Sequence, residues 1–259
     1  MPQKRTWGRW AGLIVLGLVA GMLSGLFGVG GGVLIVPALT LLLGFDQRVA
    51  AGTSLAAVVP VSVVGVISYA GSGAVDWLVA GILAVAAVGG AQIGTALLGR
   101  LSRQAVRWGF ILFLVVVIAS LFFVVPSRNA EIDLTPATIV GLLALGLVTG
   151  VLSGLLGVGG GVVVVPMLIL IFGASDLVAK GTSLVMVIPT AISGTVGNLR
   201  RRNVDLRVAA VIGLAACATT PLGALAAMAV APATANIIFA VFLALITIQL
   251  IVKALRTPH

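Results

Sequence analysis

The chain has 259 residues, of which 61% are hydrophobic and 8% charged, with a net charge of +9 and a mean hydropathy of +1.29. A soluble domain carries roughly 25% charged residues, so this composition excludes a soluble fold and points to an integral membrane protein. Its apolar runs are long and continuous rather than alternating over about ten residues, which excludes a barrel and leaves an all-α polytopic membrane protein.

Lys4, Arg5 and Arg9 form a basic N-terminal segment, residues 1–10. No small-x-small cleavage site follows in a polar setting, so the first apolar segment is expected to stay uncleaved. The apolar stretches lie at about 11–43, 49–70, 77–98, 105–125, 136–172, 179–198, 208–228 and 234–252. Six of them match the roughly 20 residues that cross a bilayer. The stretches 11–43 and 136–172 are too long for one straight crossing, and each is interrupted by glycines. In the first the break is Gly28, Gly30, Gly31 and Gly32, with Pro37 beyond it; in the second it is Gly157, Gly159, Gly160 and Gly161, with Pro166 beyond it. After the first break, residues 33–43 would make a helix only about 16 Å long, near half the hydrocarbon core.

These breaks belong to an internal repeat. Residues 21–37 and 150–166 are identical at 13 of 17 positions, at a constant offset of 129. The offset persists through Gly52-Thr53-Ser54-Leu55 and Gly181-Thr182-Ser183-Leu184, Pro60 and Pro189, Gly65 and Gly194, Gly94 and Gly223. The chain therefore divides into a first transmembrane repeat (11–125), a polar connector (126–135, with Pro126, Arg128, Glu131 and Asp133), a second repeat (136–255) and a tail (256–259).

Equivalent loops differ in charge. Arg100, Arg103 and Arg107 crowd 99–107, whereas the counterpart near 229–233 has no charge; Arg200, Arg201, Arg202 and Arg207 crowd 198–207, whereas 71–76 has no basic residue. Basic loops stay cytoplasmic, so the halves are expected to be inverted repeats with both termini cytoplasmic. For 99–107 to share a side with the N-terminus, 11–43 must enter and leave on that side. Each half then opens with a glycine-broken re-entrant helix pair followed by three spans. A helix crossing once, broken in the middle, is the alternative.

A break at membrane depth survives only when buried in protein or lining a wet cavity. The helix restarting after it presents free N–H groups and the positive end of its dipole, and glycine lets an anion approach the backbone closely. Gly28, Gly30 to Gly32, Gly157 and Gly159 to Gly161 are therefore candidate substrate-binding residues. Gly17, Gly21 and Gly25, with Gly146, Gly150 and Gly154, have the small-xxx-small spacing of close helix packing. Thr53, Ser54, Thr182 and Ser183 either cap the next helices or donate to the anion. Ser24 and Ser153 either line the site or bond back to their own helix. Gln92 and Asn198 are candidate path-lining residues, and Lys180, which replaces Ala51 of the first half, reads as a snorkelling interfacial lysine or an entry charge. Pro37, Pro60, Pro166 and Pro189 are expected kinks.

Enzymatic readings fail on the residues present. Gly28-x-Gly30 follows no strand, so it is no dinucleotide fingerprint, and no membrane histidine exists to pair with a serine. All six carboxylates (Asp46, Asp76, Glu131, Asp133, Asp176 and Asp205) fall in or near loops, leaving no obvious intramembrane proton relay. The lone Cys217 and the final His259 exclude a disulfide framework and a multi-cysteine metal site. No cofactor, metal or nucleic acid is expected.

The paired Gly-x-Gly-Gly-Gly…Pro and Gly-Thr-Ser motifs in a duplicated chain closely resemble the TauE/SafE sulfite exporter family, also called the toluene-sulfonate uptake permease family. The resemblance covers almost the whole chain. It implies a bacterial or archaeal inner-membrane transporter of sulfite, sulfonates or related organosulfur anions, of about eight hydrophobic segments. Substrate and direction are not carried over. A secondary transporter working as an exporter is expected, since membrane voltage drives a monoanion outward without a coupling ion. Uptake would need a coupling proton or cation, and a homo-oligomer stays open. An anion channel and a membrane subunit of a larger transport assembly are the rival readings.

Overall fold

The computed structural model describes residues 7–123 and 132–256. Ten α-helices lie within them: α1 (Trp7–Phe27), α2 (Gly32–Leu41), α3 (Gln47–Ala70), α4 (Trp77–Arg100), α5 (Arg103–Phe123), α6 (Pro136–Leu156), α7 (Gly161–Leu170), α8 (Asp176–Arg200), α9 (Leu206–Ala229) and α10 (Pro232–Arg256). Eight are long and apolar enough to cross a membrane; α2 and α7, ten residues each, are the short ones. The protein is an all-helical, multi-pass membrane protein. Residues 1–6 of the N-terminal segment, 126–131 of the connector and 257–259 of the tail lie outside the described residues.

The loop carboxylates explain the helix starts. Asp46, Asp76 and Asp205 each turn a side-chain oxygen onto first-turn N–H groups of α3, α4 and α9, and Ser175 does the same for α8. Such caps satisfy donors that a helix cannot satisfy itself. Thr53-Ser54 and Thr182-Ser183 are therefore not the caps: they sit in the second turns of α3 and α8. Pro37, Pro60, Pro166 and Pro189 all lie inside helices.

Small residues set the packing directions. Gly17, Gly21 and Gly25 face Ile212, Ala216 and Thr220, so α1 and α9 lie against each other in parallel. Gly146, Gly150 and Gly154 repeat this against Leu83, Ala87 and Ala91 of α4. At Gly21 and Gly150 an added Cβ would run into the carbonyls of Ala216 and Ala87, so the packing role expected of these glycines holds. Thr53 meets Asp205, and Ala57 and Pro60 meet Gly213, so α3 also runs parallel to α9. Against its own counterpart α8, α3 is antiparallel: Gly52 faces Asn198, Leu55 faces Gly194, Gly65 faces Leu184 and Tyr69 faces Gly181. Each half thus lays its first long helix on the other half, and α3 crosses α8 at the centre.

Replacing Gly21 or Gly150 with leucine should prevent assembly of the native fold, read as loss of the monodisperse peak in detergent. Gly12→Ala, where a Cβ meets nothing within 4 Å, should leave that peak unchanged.

Candidate functional site

Both glycine breaks are non-helical. Gly28, Gly30 and Gly31 have φ of 70°, 77° and 78°, and Gly157, Gly159 and Gly160 have 78°, 88° and 87°. This left-handed backbone costs any other L-residue about 1–2 kcal/mol. Gly31 and Gly160 are the N-caps of α2 and α7, and neither provides a side-chain cap. The first backbone bonds of these helices come from Leu34 and Ile35 to the Gly31 carbonyl and from Val163 and Val164 to that of Gly160. The N–H groups of Gly32 and Val33, and of Gly161 and Val162, therefore find no acceptor among the described residues. They are the uncapped, buried positive ends of two helix dipoles.

The two breaks touch. A Cβ at Gly32 would lie 2.8 Å from the Gly157 carbonyl, and one at Gly161 would lie 2.8 Å from that of Gly28, so the segments pass each other in opposite directions. Val58 of α3 and Val187 of α8 pack against both Gly30 and Gly159. These valines, equivalent in the repeat, close the centre from the α3–α8 crossing. Glycine is required where the breaks meet the neighbouring helices: a Cβ at Gly28 would meet the Lys180 backbone at 2.6 Å, and one at Gly157 would strike Ala51.

The polar residues divide in two. One group ties the fold together. Thr53 and Thr182 accept the N–H of Asp205 and Asp76 at 3.0 and 2.9 Å, pinning each half's third long helix to the other half. Gln92 donates to the Ser193 carbonyl at 2.7 Å and to its hydroxyl at 2.9 Å, clamping α4 to α8. Asn198 is buried, with its amide on the Gly194 carbonyl at 3.0 Å. Tyr69 donates to the Gly25 carbonyl at 2.6 Å, holding the end of α1. Ser183 donates to the Gly28 carbonyl at 2.6 Å and so holds the first break to α8.

The second group is unsatisfied. The hydroxyls of Ser24, Ser54, Ser62 and Ser153 are buried and have no hydrogen-bond partner. Neither Ser24 nor Ser153 bonds back to its helix. Ser62 lies 3.4 Å from the Cβ position of Gly30, and the Ser153 Cβ lies 3.7 Å from that of Gly160. An unmade buried hydrogen bond costs about 1–3 kcal/mol. The free N–H groups at two helix ends, with the unpartnered hydroxyls of Ser62 and Ser153 beside the breaks, can all donate to an anion.

One expectation is corrected here. Lys180 does not snorkel: it is 2% exposed, and its Nζ lies 2.8 Å from Oδ2 of Asp176. Asp176 stands next to a loop, as expected, but it is buried. It is 1% exposed in the first turn of α8, and its Oδ1 has no partner. The i,i+4 spacing of Asp176 and Lys180 was a legible signal for this pair.

A family model described as sulfite exporter TauE/SafE matches residues 1–121 and 142–259. A probable membrane transporter protein of Haemophilus influenzae is 29% identical over 261 aligned positions, covering 93% of this chain and 97% of its own. The probable membrane transporter protein YunE of Bacillus subtilis is 28% identical over 211, covering 72% of this chain and 77% of its own. The probable membrane transporter protein MJ0441 of Methanocaldococcus jannaschii is 28% identical over 162, covering 60% of each. No solved structure matches at a significant level.

The serines separate structure from function. Ser183→Ala, which strips the Gly28 carbonyl of its partner, should lower stability by about 1–2 kcal/mol in chemical denaturation in detergent micelles. Ser54→Ala removes a hydroxyl bonded to nothing and should cost less than about 0.5 kcal/mol.

Proposed function

Because the chain belongs to the sulfite exporter TauE/SafE family, we propose that it is a secondary transporter of sulfite, sulfonates or related small organosulfur anions, held between the two glycine breaks. The observation that carries this reading is the meeting of two uncapped helix N-termini beside buried hydroxyls without partners. Main-chain N–H groups at helix starts bind oxyanions without a formal charge. A tetrahedral or pyramidal sulfur oxyanion offers several acceptor oxygens, which two opposed sets of donors engage together.

In this reading the halves are inverted in a bacterial or archaeal inner membrane. Two features support that arrangement: the antiparallel crossing of α3 and α8, and the matched charge asymmetry of equivalent loops. Since α1 and α3 both run parallel to α9, α2 returns the chain to the side on which α1 began. The helix pair is then re-entrant in topology, although α1 alone is long enough to cross and only α2 is short. Val58 and Val187 close the centre, so loading requires α3 and α8 to shift against each other, first toward one side and then the other. Export is the direction that membrane voltage alone favours for a monoanion, by about 2.3 kcal/mol per 100 mV. An anion channel would use the same donors; the valine closure over both breaks favours a carrier.

Two outcomes test this. Gly31→Leu and Gly160→Leu should each abolish uptake of radiolabelled sulfite or sulfonate into proteoliposomes while the protein stays monodisperse; unchanged flux in both would remove the site. A cysteine placed at residue 102 should resist an impermeant maleimide added to intact cells and react only after permeabilisation. Labelling from outside would overturn the topology.

A further inference from the structure

The buried ion pair breaks the symmetry of the repeat at the place where the site is built. Lys180 and Asp176 occupy the positions of Ala51 and Gln47 in the first half. The Lys180 backbone supports Gly28, and Ser183 joins the two: its hydroxyl donates to the Gly28 and Lys180 carbonyls, at 2.6 and 2.8 Å. The Lys180 side chain also lines a small cavity of about 10 Å³, with Phe27 of α1, Val165 and Pro166 of α7, and Asn236 and Phe239 of α10. That is room for about one water. The cavity therefore reaches from the end of α1 to the return arm α7, with an ammonium stem on one wall and an amide on another.

Burying two charges is costly, and a purely structural pair could be replaced by apolar side chains of similar size. Ionisable residues inside a membrane protein point to ion pathways and proton relays. Asp176 also keeps one carboxylate oxygen, Oδ1, without a partner. The titratable groups near the pair on neighbouring helices are committed elsewhere. Tyr69 of α3 gives its hydroxyl to Gly25, and Asp76, at the start of α4, caps Leu78 and Val79. Neither α6 nor α7 contains an ionisable residue.

We propose that Asp176 and Lys180 are the coupling pair of the transporter, exchanging their mutual contact for one proton and one anion. With the site empty, carboxylate and ammonium neutralise each other. When a proton adds to Asp176 at Oδ1, the carboxyl becomes neutral and the Lys180 ammonium is released to pair with the anion beside the Gly28 break. The loaded site then holds one extra proton and one extra negative charge, so the step that carries a monoanion moves no net charge. Proton and anion travel together, and direction follows their combined concentration gradients rather than voltage. This inference rests on the transporter reading but not on its direction.

The test is flux in proteoliposomes with pH gradient and voltage set independently by ionophores, using methanesulfonate, a permanent monoanion, and sulfite. In the wild type a pH gradient alone should drive accumulation, and voltage alone should change the initial rate less than twofold. Asp176→Asn should lose the pH-driven component at least tenfold and become voltage-driven. The paired variant Asp176→Leu with Lys180→Met, which leaves no lone buried charge, should remain monodisperse and lose at least tenfold of the pH-driven flux. If that variant keeps proton-driven accumulation, or if wild-type flux follows voltage and ignores the pH gradient, the pair is a structural pin and the inference is overturned. Absence of flux of either anion in the wild type would instead overturn the transport reading, and this inference with it.

Discussion

A polypeptide in a membrane must satisfy its backbone donors internally, and this chain leaves some of them open at its centre. The N–H groups of Gly32 and Val33, and of Gly161 and Val162, begin helices that have no cap. Water cannot reach them freely, and side-chain oxygens have not been placed on them. The fold instead places capping residues at the starts of long helices, where Asp46, Asp76, Ser175 and Asp205 cap α3, α4, α8 and α9. The contrast between capped long helices and uncapped short ones leaves the positive dipole ends of α2 and α7 at the breaks without a formal charge there.

Two glycine populations serve different physical ends. Gly17, Gly21, Gly25 and their equivalents remove side chains so that α1 can lie on α9, and α6 on α4. Gly28 to Gly32 and their equivalents are needed partly for dihedral angles and partly because the breaks press on each other and on the backbones of α3 and α8. A membrane protein has little hydrophobic drive between its helices, so the close contacts of the first population hold the second in place. The exchange of partners between halves has a mechanical consequence: the most extensive long-helix contacts run between the halves, so a movement of one half carries helices of the other with it.

Much of this was legible in the residues. The offset of 129 located both breaks, because a duplicated chain repeats its packing constraints along with its motifs. The glycine spacing separated packing from break, since helix contact demands a period near four and a break does not. What one sequence could not give was the pairing of side chains across halves. Thr53 and Thr182 looked like helix caps or anion donors, but they accept backbone N–H groups from the opposite half, a contact set by the crossing of α3 and α8. The polarity of Gln92 does not reveal that its amide nitrogen bonds Ser193 of the other half. Lys180 looked interfacial because it stands near a span end, and only the packing of α1 and α10 around it shows that it is buried. Val58 and Val187 gave no signal, being two valines among many.

The most direct test of the central claim is anomalous diffraction from crystals grown with selenite, whose selenium marks the place of sulfur in the sulfite ion. A selenium peak is expected between the two breaks, within hydrogen-bond reach of the N–H groups of Gly32 and Val33 or Gly161 and Val162, with the Ser24 or Ser153 hydroxyl turned toward it. Ordered selenium bound elsewhere in the protein, with the breaks closed on each other as tightly as in its absence, would contradict an anion site built from interrupted helices.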